Sequence, residues 1–218
     1  MEIQQFKPQD HFVKCAIYGS SWVWKTVFWG TAPNALFASS EEGLLSIVST
    51  LWYYPSYVNI ESIEDMQKLY IHLRDENHGY DTLVIDSLTE INEIIKEGIE
   101  KRKWRMQIQD RWEVSSKIKW IIRGIKWLKM NVIIICQEKI NYDEDGKVLL
   151  INPLLNGKNA TEIAYMMDIV WYMYIDKNWD RHIMTSPNEK IVSKDRTWKI
   201  GKDASLDFGD RIQAVQSL

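Results

Sequence analysis

The sequence predicts an α/β domain spanning residues 1–218 as one unit, with a mainly parallel sheet flanked by helices and an antiparallel hairpin extension towards the C-terminus. Three observations predict it. Short, uninterrupted apolar runs recur along the chain, as strands covered on both faces require. Segments with helical spacing separate those runs. The last third turns to Asn, Asp, Gly and Pro interleaved with short β-rich runs, the pattern of hairpins.

The elements follow in order. Phe12 to Tyr18 is a buried strand ending at Gly19, followed by a loop and a helix start; Ala35 to Ala38 is a second strand. Glu61 to Arg74 sets Ile63, Met66, Leu69, Tyr70 and Leu73 on one helical face, and Thr82 to Ile85 is a third strand ending on Asp86. Leu88 to Arg102 is the next helix, and Val114 to Lys129 another with Ile118, Ile121, Ile122, Ile125 and Leu128 aligned. Val132 to Cys136 is the fourth continuous apolar strand. Asn141 to Lys158 reads as a loop, and Asp168 to Tyr174, Arg181 to Thr185 and Lys190 to Ser193 as strands joined by tight turns.

With 45% hydrophobic and 26% charged residues, the composition excludes disordered, collagen-like and coiled-coil classes. The charge, 27 − 30 = −3, restricts any nucleic-acid contact to local patches. The apolar stretch from Ile163 to Ile175 is interrupted by Asp168, and the opening MEIQQFKPQD lacks a signal-peptide core, so the expectation is a soluble cytoplasmic chain with no membrane partner. Cys15 and Cys136 lie inside strand-like runs and read as reduced, buried thiols.

The chemistry begins at Gly19-Ser20-Ser21-Trp22-Val23-Trp24-Lys25-Thr26, between the first strand and a helix. The layout is nearly G-x-x-x-x-G-K-[ST], in which loop amides surround phosphates, the Lys reaches the β and γ oxygens and the Thr hydroxyl ligates Mg²⁺. Trp24 stands where that pattern requires Gly. Asp86 closes an apolar strand, the position of a carboxylate that holds magnesium near phosphates. The second strand runs into Ser39-Ser40-Glu41-Glu42-Gly43, placing carboxylates at a strand's carboxyl end, where ligands of open α/β sheets bind. A base for an attacking water is available there. Gln137 ends the fourth strand with an amide able to bond a γ-phosphate oxygen.

On these residues the sequence resembles the RecA-type P-loop ATPases, particularly the small phage-encoded RecA-like ATPases of single-strand annealing and recombination. The matching stretches are KCAIYGSS…KT, TAPNALFASSEEGLLSI, LVIDS, VIIICQ and IVSKDR, together spanning roughly residues 12 to 200. The resemblance implies ATP and Mg²⁺ as ligands, with Lys25 and Thr26 on phosphate and metal and Asp86 on the metal. It makes Glu41 the water-activating carboxylate, with Glu42 the alternative, and Gln137 the nucleotide sensor beside a DNA-facing loop. It also implies a homo-oligomer whose site is completed by a basic residue of a neighbouring subunit, for which Lys194 and Arg196 are the candidates, and single-stranded DNA as partner in a bacterial or phage-infected cell.

The tryptophans are anomalous. There are 11 Trp against 10 Gly, where average usage would give roughly 15 Gly. Trp22 and Trp24 occupy loop positions that need a backbone without a Cβ, and indoles there are expected to obstruct the phosphate pocket. Trp179, in Lys177-Asn178-Trp179-Asp180, stands where Asn-Gly would mark a hairpin, and Trp198 also stands where a turn Gly is expected. Trp120 and Trp127 lie with Gly124 off the Ile face of their helix, whereas Trp29 and Trp52 read as ordinary aromatics. One explanation covers the misplaced ones: a codon read as Gly under one genetic code and as Trp under another. Deliberate replacement and a naturally Trp-rich, nucleotide-incompetent homologue are the alternatives. As written, the chain is expected to be a poor ATPase.

Lys101, Arg102, Lys103 and Arg105, with Arg111 nearby, and the loop from Glu138 to Asn159 are the candidate DNA contacts. Competing functions are a non-hydrolysing oligomeric DNA-binding or scaffold protein and another P-loop phosphotransferase, such as a small nucleotide kinase.

Overall fold

The computed structural model describes residues 11–102 and 107–196. Nine strands are found among them: β1 (Lys14–Gly19), β2 (Ala35–Ser39), β3 (Ser56–Asn59), β4 (Thr82–Asp86), β5 (Asn131–Tyr142), β6 (Val148–Pro153), β7 (Ile169–Ile175), β8 (Arg181–Met184) and β9 (Lys194–Asp195). The helices are α1 (Lys25–Gly30), α2 (Leu45–Leu51), α3 (Ile63–Asp75), α4 (Leu88–Glu100), α5 (Ile108–Lys126) and α6 (Asn159–Met166). The sheet runs β3-β2-β4-β5-β1-β7-β8, with β6 paired to β5 and β9 to β7. From β3 to β7 every neighbouring pair is parallel, and β6, β8 and β9 are antiparallel additions.

Alternation along the central strands divides the interior in two. Ala16, Tyr18, Leu83, Ile85, Val132, Ile134 and Cys136 face the layer formed by α3, α4, α5 and α6. Cys15, Ile17, Val84, Ile133, Ile135, Trp171 and Met173 face α1 and α2, through Phe28, Trp29 and Ile47. A strand covered on both faces must be apolar at every position, which is why β1, β4 and the first half of β5 read as unbroken runs. Both cysteines are buried thiols outside any disulfide, as expected, and burial pushes the Cys136 thiol up to about 12. No helix among the described residues is long and apolar enough to cross a membrane.

The structure corrects several boundaries. The segment read as a loop after Gln137 is a hairpin: β5 continues to Tyr142 and pairs with β6 from Glu138↔Pro153 onward. Strand β3 and helices α2 and α6 were absent from the sequence reading, and α5 starts at Ile108, its Gln107–Asp110 capping box preceding the expected Val114. The expected strand at Lys190 to Ser193 is a single bridge, Ile151↔Ile191, followed by β9.

Backbone conformation separates the tryptophans into classes. Among the described residues five non-glycines have positive φ, and four are tryptophans: Trp22 (71°), Trp24 (71°), Trp52 (59°) and Trp179 (67°). For an L-residue with a large side chain this left-handed region costs roughly 1–2 kcal/mol through the Cβ clash with the carbonyl. Glycine has no such clash. Trp52 ends α2 in the left-handed conformation, its N–H donating to the Val48 carbonyl, and is 88% exposed. It therefore stands at a helix C-terminal glycine position rather than being the ordinary aromatic read from the sequence. Trp29 and Trp171 are the opposite case, fully buried and stacked at 5.9 Å with ring planes 9° apart. Trp198 and Trp104 lie outside the described residues.

Candidate functional site

Four parallel strands deliver the site at their carboxyl ends. The register pairs Gly19 of β1 with Gln137 of β5, and Ser39 of β2 with Asp86 of β4, while β5 separates β1 from β4. Gly19 is required sterically, because a Cβ there would collide with the Met173 carbonyl of β7 and touch the Val23 side chain. Val23 is fully buried and anchors the loop from below, leaving Ser20, Ser21 and Trp22 exposed. Just before the loop, the Tyr18 hydroxyl reaches the Ile151 and Val192 carbonyls at 3.1 and 2.7 Å, tying the end of β1 to the β6 side of the sheet.

Lys25 folds its ammonium into the loop and donates to the Gly19 and Ser20 carbonyls at 2.9 and 2.6 Å. Burial lowers its pKa, with Asp86, Glu41, Glu138 and Cys136 opposing the fall. Of these, the carboxyl groups of Asp86, Glu41 and Glu138 are the acidic neighbours of the ammonium, whereas burial keeps the Cys136 thiol protonated. Thr26 Oγ1 donates to Asp86 Oδ2 at 2.8 Å. The Asp86 carboxyl is pushed up to about 6 by burial, with the Thr26 hydrogen bond and Lys25 pulling down and Glu41 pushing up.

The acidic loop closes on this pair. Gly43 packs against both, a Cβ there lying 3.4 Å from Asp86 Oδ2 and from Thr26 Oγ1. The loop is laced to the end of β4: Ser40 N donates to the Asp86 carbonyl at 2.8 Å, Ser87 N to Ser40 Oγ at 3.1 Å, and the Ser87 hydroxyl to Glu41 Oε1. Of the two acids it is Glu41 whose carboxylate is fixed beside Asp86, while Glu42 begins a 3-10 turn, Glu42–Leu44. Ser87 also caps α4, accepting from Glu90 N at 3.2 Å. The Gln137 backbone is held by Thr89 Oγ1 at 3.0 Å and by Leu154 N at 2.8 Å, opposite Gly19 in the strand register.

The structure thus brings Gly19, Lys25, Thr26, Glu41, Asp86 and Gln137 to one edge. It places Lys194 and Arg196 elsewhere in the same chain. Lys194 Nζ donates to the Ala164 and Met167 carbonyls at 2.8 and 2.7 Å, and Arg196 contacts the Tyr165 carbonyl at 3.0 Å and Asp168 at 3.4 Å. Strand β9 pairs with Ile169 and Val170, the start of β7, whereas the phosphate loop lies beside its far end. Within one chain these two cations are remote from Lys25. Of the basic cluster, Lys101 and Arg102 pair with Glu97 and Glu113, and Lys103 and Arg105 lie outside the described residues.

The obstruction expected of the loop tryptophans takes another form. Trp22 stands in solvent, 88% exposed, and Trp24 lies against Arg181, whose guanidinium carbon is 3.7 Å from the indole centroid. The conflict is in the backbone, at the two positive φ angles, more than in filled space. Arg181 escaped the sequence reading because no local pattern links β8 to the loop. The Ser40 and Ser87 network escaped it because isolated serines carry no positional signal.

Magnesium takes one or two protein oxygens and completes its shell with phosphate and water. The Thr26 hydroxyl and Asp86 carboxylate, already in contact, fit that donor set, and when bound the ion would neutralise charge on phosphate oxygens. For the chain's own part, the loop and Lys25 can hold a polyphosphate, and Glu41, fixed by Ser87, can accept a proton from water.

A Lys-Thr phosphate loop, a strand-end Asp bonded to its Thr, and an intervening strand between them define a P-loop nucleoside triphosphatase domain. A family model described as an AAA domain matches residues 11–197, and the chain belongs to that family. No curated protein matches the sequence. Among solved structures the chain is similar to the flagellar accessory protein FlaH from Methanocaldococcus jannaschii, at 11% identity and TM-score 0.41 over 78% of this chain and 75% of that one. It is also similar to a prototypical ATPase of the type III secretion system of pathogenic bacteria, at 14% identity and TM-score 0.47 over 76% of this chain and 52% of that one.

Proposed function

We propose that the domain binds ATP with magnesium and hydrolyses it in an oligomer acting on single-stranded DNA, in phage-type recombination or annealing. The observation that carries the nucleotide reading is the Thr26–Asp86 contact beside a Lys25 ammonium already drawn into the loop. Glu41 is the general base and Gln137 the group that reports the γ-phosphate. Support for the DNA reading is positional: the strand holding Gln137 continues outward as the β5–β6 hairpin, with Lys139, exposed Tyr142 and Lys147 along it. Its Asp143-Glu144-Asp145 tip is acidic, so such a contact would use the sides of the hairpin. A trans role for Arg196 or Lys194 fits their distance from Lys25 in the same chain.

The form competent for nucleotide carries glycine at positions 22 and 24, because both need the left-handed backbone of a phosphate-binding loop. The Trp-bearing chain supports the second reading, a scaffold that retains the fold and has lost turnover. The test is ATP hydrolysis with and without single-stranded DNA, measured on this chain and on a Trp22→Gly/Trp24→Gly chain. DNA-stimulated turnover in the glycine chain is expected. Binding with no turnover in either chain favours the scaffold, and no binding in either removes the nucleotide reading.

A further inference from the structure

The hairpin formed by β7 and β8 folds over the phosphate loop. Gly19 packs on the Met173 carbonyl, and two residues further on Ile175 pairs with Arg181, the first residue of β8. The Arg181 guanidinium is thereby held above position 24, its carbon 3.7 Å from the Trp24 ring centroid. Its Nε is buried and has no hydrogen-bond partner among the described residues. The hairpin acid Asp176 does not satisfy it, being taken by His182 at 3.1 Å and by the Asn178 and Asp180 amides at 2.8 and 3.0 Å. An arginine held by an aromatic face and lacking an acceptor is matched to a planar or tetrahedral oxyanion, which its fork can bond at two points.

We infer that Arg181 is a second cation of the polyphosphate site, supplied by the same chain and masked by Trp24. The inference rests on the nucleotide reading of the loop and adds a binding residue to it. With glycine at position 24 the stacking partner is gone, and the guanidinium stands over the loop with its donors unfilled. The ligand that fits is the phosphate chain of a nucleoside triphosphate, an anion held from below by Lys25 and from above by Arg181. Two cations on opposite sides of one polyanion also explain how an acidic chain can hold so concentrated a negative charge.

The test uses the full chain carrying Trp22→Gly together with Trp24→Gly, with Mg-ATP and inorganic tripolyphosphate as probes in equilibrium binding. Arg181→Ala should weaken both ligands by about tenfold or more, the effect of one lost charge-assisted bond pair, while adenosine binding stays unchanged. Arg181→Lys should restore part of the loss, which a purely structural role in the hairpin would not require. The affinity gained by Trp24→Gly should shrink several-fold when Arg181 is already alanine. Should the alanine variant fail to fold, Arg181→Gln keeps the side-chain stem and gives the same comparison. Undiminished affinity for both phosphate ligands in the Arg181 variants, with Lys25→Ala still abolishing binding, overturns the inference and leaves the site intact. Insensitivity to Lys25→Ala overturns the nucleotide reading itself.

Discussion

Thr26 Oγ1 donates a hydrogen bond to Asp86 Oδ2 at 2.8 Å, joining the start of α1 to the end of β4 across 60 residues of sequence. The contact fixes both prospective magnesium ligands before any ion arrives. It also sets the pH behaviour of the site, because the same carboxyl is held out of water.

The Asp86 carboxyl titrates near 6 in the folded chain against an ordinary value near 4, burial being the main cause. The folded state therefore binds this proton more tightly than the unfolded chain, and stability from this group is present at low pH and lost as pH rises through about 6. Thermal unfolding in the absence of magnesium should show that decline, and Asp86→Asn should remove it. Stabilisation by Mg-ATP should have the opposite dependence, growing above pH 6 where the carboxylate is charged. Superimposable pH profiles for the two proteins would contradict the assignment.

Lys25 and Glu41 should differ in what they do for the ligand. In a chain with glycine at 22 and 24, Lys25→Ala should lower ATP affinity at least tenfold, since it removes the cation inside the loop. Glu41→Gln should bind ATP normally and turn over roughly 10²-fold or more slowly, the usual loss when a general base is removed. Binding isotherms and single-turnover rates separate the two. Equal loss of binding in both variants argues against separate roles.

The four left-handed tryptophans should be liabilities. Trp52→Gly and Trp179→Gly each delete an exposed indole and relieve a strained φ, so each should stabilise by about 1 kcal/mol. That corresponds to a rise in melting temperature of roughly 2–4 °C for a chain of this size. Trp171→Ala, which empties a fully buried stacked site, should cost about 3–5 kcal/mol. The codon behind each residue gives an independent check: a shared ambiguous codon at 22, 24, 52 and 179, absent at 171, is the expected finding. Ordinary tryptophan codons at all four positions would falsify recoding while leaving the strain in place.

Assembly should govern turnover. Lys194 and Arg196 lie at the far end of the parallel strands from Lys25, so any contribution they make to hydrolysis must come from a neighbour. Activity per subunit in the glycine chain should rise with protein concentration and with single-stranded DNA. Mixing Arg196→Ala with Lys25→Ala chains should recover part of the activity that each lacks alone. Concentration-independent turnover with no recovery on mixing leaves Arg196 as a local tie to Asp168.

What the sequence revealed follows burial. Val132 to Cys136 is apolar at every position because helices cover both faces, and such a run is readable without context. Ser56 to Asn59 is an edge strand with mostly exposed side chains, so nothing in its pattern marks it. The outer half of β5 combines Lys, Asn and Tyr and was read as loop, since its partner β6 lies beyond a turn. At the site, Lys25, Thr26 and Asp86 were readable because phosphate chemistry dictates residue type and spacing together. Arg181 was not, because its place above Trp24 depends on how β7 and β8 fold back over the loop. Trp52 escaped notice for a related reason: a left-handed helix end is visible only once the helix α2 is known.

Strand β5 has a mechanical consequence. Its twelve residues run without a break from the floor of the sheet, past Gln137, into the projecting hairpin, a span of roughly 40 Å at the rise of an extended chain. The inner half is clamped between β1 and β4, and the outer half pairs with β6. A load applied to the hairpin would therefore pass along one continuous strand to Gln137, whose register partner is Gly19. The pairing slips once, between Asn141 and Tyr142 near the tip, so a displacement applied closer in than that point would reach Gln137 through regular extended backbone.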